Sequence, residues 1–191
     1  SKKQKTILKE LFILSSCVYN STNYIVRQQF FNKEKISNFF DLQQKLQATE
    51  DYKTLGRVYA LPRIQIYAET NSARFKLIKS KKQSNVGLPK YIKNRKTNTT
   101  MPSYLAMDNC QYSLDKTKAT IPLSRQMRKK YNINHFRIKY NGLLKWNGLQ
   151  QRGQIHFKDG KFYLYQTVEL QEPIQKQIKT SAGIDFGIKR L

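Results

Sequence analysis

Apolar residues recur with a helical period through the first part of the chain. One stripe keeps the spacing of three to four residues that buries one face of an α-helix, and it predicts a long first helix. Its members are Ile7, Leu8, Leu11, Leu14, Val18, Thr22, Ile25 and Val26. We interpret these positions as packing residues of a helical bundle, which leaves function to the basic faces of the helices.

Two more helices are predicted in the same part of the sequence. A short helix covers residues 37–47, with Ser37 as its N-cap and with packing positions at Phe40, Leu42 and Leu46. Another runs from about Pro62 to Lys79. Its start is placed at Pro62 because proline is tolerated in the first turn, where the missing N–H has no helical partner.

After residue 83 the pattern changes from helical to alternating. Residues 84–100 are polar and basic, and short alternating segments follow at 103–107, 111–114, 119–123 and 135–140. The clearest element is a hairpin of residues 153–158 and 162–168, joined through Asp159-Gly160, a pair that tolerates the positive φ angles of a tight turn. These short strands predict a small barrel. His156 lies on one of the alternating strands, and this position favours a surface or stacking role over catalysis.

The charge of the chain indicates a polyanionic partner. It has 36 Lys and Arg against 12 Asp and Glu, a formal net charge of +24 over 191 residues. Two windows, 70–107 and 116–158, contain no acid but nine and eleven basic residues. Continuous positive surface of this kind tracks a phosphate backbone, whereas a face that serves only solubility usually mixes signs. The predicted nucleic-acid-binding residues are Arg74, Lys76, Lys79, Lys81, Lys82, Lys90, Tyr91, Lys93, Arg95, Lys96, Arg128, Lys129 and Lys130.

Aromatic residues near these windows are candidates for stacking on bases, as in OB-like barrels. They are Tyr91, Tyr104, Tyr112, Tyr131, Tyr140 and Trp146. Membrane attachment is disfavoured, since no apolar run approaches the roughly 20 residues that span a bilayer. Cys17 and Cys110 lack metal-ligand spacing, and we expect both to be reduced, core or half-buried residues rather than zinc ligands or a disulfide.

Near the C-terminus a short apolar strand carries one acid followed by a glycine, in Gly183-Ile184-Asp185-Phe186-Gly187. RNase H-like nucleases present their first metal-binding carboxylate in this way, because a strand fixes the direction of the side chain and glycine leaves room beside it. An isolated Asp-x-Gly is also an ordinary turn sequence. Asp185 is the candidate catalytic and metal-binding residue.

Five short motifs, in order, resemble the TnpB family of transposon-encoded RNA-guided DNA endonucleases, which are related to compact type V CRISPR effectors. The first is Cys17-Val18-Tyr19-Asn20, and the second is Leu61-Pro62 followed by Gln65, Ala68, Ala73, Phe75 and Lys76. The third is Gly87-Leu88-Pro89-Lys90-Tyr91-Ile92-Lys93. The fourth combines Gly153-Gln154-Ile155 with Gly160-Lys161-Phe162-Tyr163-Leu164 and Val168-Glu169, and the last is Gly183-Ile184-Asp185-Phe186-Gly187-Ile188-Lys189.

The resemblance implies an α+β fold in which a helical recognition domain lies next to an OB-like wedge β-barrel, followed by the first strand of an RNase H-like (RuvC) domain. The expected boundaries are 1–83 for the helical domain, 84–174 for the barrel, and 175–191 for a linker and the RuvC strand. The family's opening barrel strand, later catalytic acids and Cys-x-x-Cys zinc motif have no counterpart in this sequence. We therefore expect a part of a longer protein that is inactive alone, since a two-metal site needs several carboxylates.

By the same resemblance, the expected partners are a guide RNA and target DNA, with no membrane, in a cytoplasmic, nucleoid-associated location. Asp185 is expected to bind Mg²⁺ in the intact Mg-dependent nuclease, with no cofactor expected in these residues alone. Two alternatives stay open. One is a non-enzymatic basic RNA-binding protein in which Asp185 is only a turn residue, and the other is a DNA-binding transposition accessory that needs no guide.

Overall fold

The computed structural model describes residues 1–80, 86–93, 102, 104–108, 111–142 and 148–170. These residues form helices and strands in an order that confirms the predicted α+β class. The helices are α1 (Lys2–Phe31), α2 (Phe39–Leu46), α3 (Glu50–Leu55), α4 (Arg57–Lys79) and α5 (Arg125–Tyr131). The strands are β1 (Tyr104–Met107), β2 (Ser113–Leu114), β3 (Lys118–Ile121), β4 (Phe136–Lys139), β5 (Gly148–Lys158) and β6 (Lys161–Leu170).

Helix α1 confirms the predicted first helix and its apolar stripe. Ser1 accepts a hydrogen bond from the Gln4 N–H, and the Gln4 side chain accepts from the Ser1 amino group, so the helix begins with a capping box. Six of the eight stripe residues are buried, while Leu14 and Ile25 are partly buried against the core. The helix also buries the polar residues Ser15, Ser16 and Asn23.

The second helix differs from the prediction at its N-terminus and on one face. Asn38, not Ser37, is the N-cap, because its Oδ1 accepts from the Asp41 N–H while the Asp41 carboxylate accepts from the Asn38 N–H. The Ser37 hydroxyl instead accepts a hydrogen bond from the Gln29 amide. Leu42 is buried as predicted, and so is Leu46. Phe40 was wrongly predicted to pack, and 74% of it is exposed.

Helix α4 begins five residues before the predicted start. Gly56, at φ +89°, ends α3 and begins α4, and its carbonyl accepts from the Tyr59 and Ala60 N–H groups. Pro62 therefore lies inside the helix rather than in its first turn. The hydrophobic period alone gave no sign of the early start. Helices α3 and α5 were not predicted, because each is too short to show a period of its own.

The strands form two antiparallel sheets, with the orders β1-β5-β6 and β2-β3-β4. Each contains strands at the predicted places, and the turn between β5 and β6 has positive φ angles at Asp159 (50°) and Gly160 (74°), as predicted. The closed OB-like barrel and the boundary at residue 83 stay predictions. The predicted RuvC strand and the linker before it lie outside the described residues.

Helices and sheets share one cluster of buried side chains, which includes Leu11 and Phe12 of α1, Ile64 of α4, Leu105 of β1 and Ile155 of β5. Helices α1 and α4 run side by side in the same direction, since Arg63 contacts Ser15 and Phe75 contacts Phe30 further along both helices. Both helices contact β1. Among the described helices, none is both long and apolar enough to cross a membrane.

Candidate nucleic-acid interface

Residues 86–93, called here the basic segment, lie along the C-terminal half of α1 and are held there through their backbone. The side-chain amide of Asn20 accepts from the Ile92 N–H (2.9 Å) and donates to the Ile92 carbonyl (3.2 Å). Asn23 donates to the Pro89 carbonyl (3.1 Å). These bonds use main-chain atoms of the segment, whose Lys90 and Lys93 side chains are exposed while Pro89 is buried.

Further contacts fix the same segment. The Tyr19 hydroxyl donates to the Lys90 carbonyl (3.4 Å), and Arg27 Nη1 donates to the Pro89 carbonyl (3.1 Å). Asn23 is itself oriented by the Tyr67 hydroxyl, which donates to Asn23 Oδ1 (2.9 Å). Two motifs that are about 70 residues apart in sequence, Cys17–Asn20 and Gly87–Lys93, are therefore in direct contact.

Burial sets the electrostatics of the tyrosines beneath the segment. Burial raises the pKa of Tyr19, and a hydrogen bond with Asn71 and the positive charge of Arg74 oppose that rise. The pKa of Tyr67 is also raised by burial. Both hydroxyls therefore stay neutral at physiological pH and keep the proton that each donates in the contacts above.

Arg27 lies between two rings at the surface of this region. Its guanidinium carbon is 5.4 Å from the centroid of Tyr91 and 5.8 Å from that of Phe31. The two rings are 44% and 55% exposed. A guanidinium next to two exposed rings forms a surface on which a base or ribose can stack. Sequence reasoning missed Arg27 and Phe31, because neither lies in the two basic windows, 70–107 and 116–158, on which the prediction depended.

The predicted basic residues fall into two groups in the structure. Lys90 and Lys93 of the basic segment are exposed, and so are Arg74, Lys76 and Lys79 on the last turns of α4. Since α1 and α4 are parallel, this half of α4 lies beside the half of α1 that carries the basic segment. The structure thus brings these five cations and Tyr91 to one end of the helical pair, and we call this set the α1–α4 basic end.

Arg128, Lys129 and Lys130 are exposed on α5, at a different place. Lys130 forms an ion pair with Glu10 of α1 (2.7 Å). Glu10 and Asn20 are ten residues apart, which in a helix is about 15 Å. The α5 cations are therefore separate from the α1–α4 basic end. The predicted residues Lys81, Lys82, Arg95 and Lys96 lie outside the described residues.

The stacking candidates differ in how accessible they are. Tyr91 is exposed, while Tyr104, Tyr131 and Tyr140 are half-buried. Tyr112 is only 4% exposed, so its prediction as a stacking residue is wrong. Its hydroxyl donates to the Gln151 carbonyl (2.8 Å) between the strands of the core. Trp146 lies outside the described residues.

The predicted metal site cannot be placed, because Asp185 lies outside the described residues. In the part of the chain that the structure describes, no three His, Cys, Asp or Glu side chains come together as a metal site would require. Cys17 is a half-buried free thiol, as predicted, and burial raises its pKa. Cys110 is another residue outside the described ranges.

Comparison with known proteins agrees with the motifs. No family model matches the chain. A TnpB-like protein of the Acidianus two-tailed virus is 26% identical over 197 residues, an alignment that covers 98% of this chain and 40% of the viral protein. The chain thus spans about two fifths of the length of that relative. The similarity extends along nearly the whole sequence, and it supports membership of the TnpB family, which the motifs indicate, at the level of a distant relative.

Proposed function

We propose that this chain is the nucleic-acid-binding part of a transposon-associated RNA-guided DNA endonuclease, and that it holds the guide RNA and the RNA–DNA duplex. The proposal is supported by the similarity to a TnpB-like protein and by the net charge of +24. The observation that carries it is the basic segment, whose backbone is fixed on α1 while Lys90, Tyr91 and Lys93 are exposed. A cytoplasmic, nucleoid-associated location is part of the proposal.

The fixed backbone matters for the strength of binding. Ordering a loop when a ligand binds costs conformational free energy, and a segment that is already held by five side-chain hydrogen bonds avoids much of that cost. Lys90 and Lys93 then act as phosphate contacts, which position a duplex without reading its sequence. In an RNA-guided protein, base pairing with the guide reads the sequence, so a basic surface of this kind is sufficient.

The nuclease step is assigned to Asp185 in the intact protein. Mg²⁺ bound there would activate water and stabilise charge on the cleaved phosphodiester. Within the described residues no three His, Cys, Asp or Glu side chains come together, so that part of the chain forms no metal site by itself.

RNA binding is tested by the salt dependence of affinity for a labelled RNA hairpin and for an RNA–DNA duplex. One variant carries Arg74→Gln, Lys90→Gln and Lys93→Gln, and the matched control carries Lys2→Gln, Lys3→Gln and Lys5→Gln. All six side chains are exposed, and both variants lose the same charge. If each phosphate contact contributes about 0.7–0.9 to the log–log salt slope, the first variant loses about 2 from the slope and the control clearly less.

Equal losses in the two variants would show that only bulk charge matters and would contradict the role of the α1–α4 basic end. An affinity that does not change with salt would contradict nucleic-acid binding as a whole. Binding by the 191-residue chain alone does not separate a nuclease part from a non-enzymatic RNA-binding protein. That distinction depends on Asp185.

The nuclease assignment is tested in the longer protein that contains this chain. Asp185→Ala should abolish Mg²⁺-dependent cleavage of target DNA while the affinity for guide RNA stays nearly unchanged. The control is Asp159→Asn, which removes the charge of an exposed carboxylate with a residue that tolerates the positive φ of the turn. Cleavage at the normal rate by the Asp185→Ala protein would overturn the assignment and leave a non-enzymatic binding protein. Loss of cleavage together with RNA binding would reveal misfolding, so thermal unfolding is measured on the same samples.

A further inference from the structure

One face of the β1-β5-β6 sheet carries a row of aromatic side chains that the function proposed above does not use. Tyr104 pairs with His156, and His156 pairs with Tyr163, so these three residues are in register across the strands. Tyr165 pairs with Gln154 and lies on the same face, two residues from Tyr163. The opposite face, with Leu105, Ile155 and Leu164, packs into the core.

The rings are in contact and become more accessible toward β6. Tyr104 and His156 are stacked, with centroids 5.4 Å apart and planes at 22°. His156 and Tyr165 meet edge to face at 4.6 Å. The β1 end of the row is covered by α4, where Arg63 lies over the Tyr104 ring at 5.2 Å. At the β6 end, Tyr163 is 41% exposed and Tyr165 is 57% exposed.

Two lysines continue the row toward the hairpin turn. Lys158 and Lys161 are cross-strand partners, and the pairing places them on the same face as His156 and Tyr163, one pair further along. Both are exposed. Like charges directly opposite each other destabilise a hairpin, and a phosphate bound between the two ammonium groups would offset that repulsion.

We propose that this face, called the aromatic strip (Tyr104, His156, Tyr163 and Tyr165), binds an unpaired RNA strand. Its bases stack on Tyr163 and Tyr165, and a backbone phosphate lies between Lys158 and Lys161. Exposed rings beside cations are the combination by which single strands are held without sequence preference. A duplex hides the faces of its bases, so it would gain only from the lysines. The inference rests on the proposed RNA-binding function and adds a second contact region, separate from the α1–α4 basic end.

The test uses the 191-residue chain and a single-stranded RNA of about 12 nucleotides, within the site sizes of small barrels, that contains 2-aminopurine. Stacking on a tyrosine quenches the fluorescence of 2-aminopurine. The double substitution Tyr163→Ala, Tyr165→Ala should abolish the quenching and weaken binding about tenfold or more. The pair Tyr163→Phe, Tyr165→Phe keeps the rings and should keep both signals. Phe40→Ala removes an exposed ring from α2 and should change neither.

The phosphate contact of Lys158 and Lys161 is tested by the salt dependence of RNA binding. Lys158→Gln with Lys161→Gln should lower the salt slope for single-stranded RNA by about 0.7 for each phosphate that the variant no longer neutralises, without abolishing the quenching. If quenching and affinity are unchanged in the double alanine variant, the aromatic strip does not bind RNA. That result would not affect the proposal that the α1–α4 basic end binds RNA. If the wild-type chain binds no RNA, hairpin or single strand, the proposed function itself fails, and the inference fails with it.

Discussion

The ring of Tyr112 occupies the space in which a side chain on Gly153 would begin. A Cβ at Gly153 would stand 2.7 Å from Tyr112 Cζ and 2.8 Å from its hydroxyl oxygen. The ring cannot easily move away, because its hydroxyl donates to the Gln151 carbonyl and contacts the Gln166 side-chain amide. The glycine of the Gly153-Gln154-Ile155 motif is therefore required by packing between a loop residue and β5.

Gly153→Ala is consequently expected to destabilise the fold by roughly 1–3 kcal/mol, the usual cost of overpacking a filled site. Urea denaturation followed by circular dichroism measures the change. Gly87→Ala is the matched control, since among the described atoms nothing lies within 4 Å of where its Cβ would be. A loss for Gly87→Ala as large as that for Gly153→Ala would show that the Tyr112 contact is not the cause.

Asn20→Asp tests how the basic segment is held. The carboxylate keeps an acceptor for the Ile92 N–H but replaces the donor to the Ile92 carbonyl by a second oxygen. We expect a loss of about 1–3 kcal/mol in the free energy of unfolding, because a part-buried carbonyl loses its donor and faces a negative charge. RNA affinity should fall as well, since Lys90 and Lys93 are no longer held in place.

Asn134→Asp is the control for that variant, because Asn134 is exposed and the change of net charge is identical. It should lower RNA affinity only slightly and leave urea denaturation unchanged. Equal effects of the two substitutions on RNA binding would mean that the added negative charge, and not the position of the basic segment, determines affinity.

These contacts show which parts of the molecule the sequence could predict. The stripe from Ile7 to Val26 and the turn at Asp159-Gly160 follow from local rules, periodicity and positive φ, and both were predicted correctly. The contact of Asn20 with Ile92 spans 72 residues, and no local pattern indicates it. Two partners of Arg27, the Tyr91 ring and the Pro89 carbonyl, are likewise distant in sequence, and only Phe31 is local.

The exposed fraction of individual aromatic side chains also could not be predicted from the sequence. Tyr112 and Tyr165 both follow alternating patterns with neighbouring polar residues, yet Tyr112 is 4% exposed and Tyr165 is 57% exposed. Tyr165 lies on the face of β6 opposite to Leu164, which packs into the core, whereas Tyr112 is a loop residue whose ring packs against Gly153 of β5. Alternation predicts that a strand has two faces, but it does not say which face is covered when both carry aromatics.

Tyr112 gives the fold a pH dependence in the alkaline range. Burial raises its pKa to about 12, against a smaller lowering by its hydrogen bond with Gln166. The unfolded value is about 10, so the folded state favours the protonated form. The stabilisation of the folded state by the protonated Tyr112 hydroxyl is fully present below about pH 10. It is lost as the pH rises from about 10 to about 12.

Denaturation of wild type and Tyr112→Phe across that pH range checks this expectation. The wild type should be the more stable by about 1 kcal/mol near neutral pH, where the hydroxyl makes its hydrogen bonds, and its advantage should shrink through the window. Tyr24→Phe removes the hydroxyl of a tyrosine that is 56% exposed, and its curve should follow the wild type. A constant difference between wild type and Tyr112→Phe from pH 8 to 12 would contradict the assignment.

Arg63 provides a test of how the helices are joined to the sheet. It is 5% exposed, and among the described residues no carboxylate lies within ion-pair distance of it. Burial lowers its pKa, although the guanidinium stays charged. The charge is instead met by Ser15 of α1, which accepts from Arg63 Nε (2.8 Å), and by the backbone carbonyl and the ring of Tyr104 in β1.

Arg63→Lys should therefore destabilise the fold by about 1–3 kcal/mol, because a single ammonium group cannot reproduce the planar fork that reaches both partners and stacks on the ring. Arg152→Lys is the control: its side chain is 40% exposed, its ion pair with Asp108 is 3.6 Å long, and the loss should stay below about 0.5 kcal/mol. Arg63→Met separates charge from geometry. Met removes both the buried charge and the hydrogen bonds. If the Met variant is as stable as wild type, the desolvation free energy of the charge outweighs the hydrogen bonds, and the geometric role of Arg63 is wrong. If both substitutions at Arg63 are costly, the fork is what holds α1, α4 and β1 together.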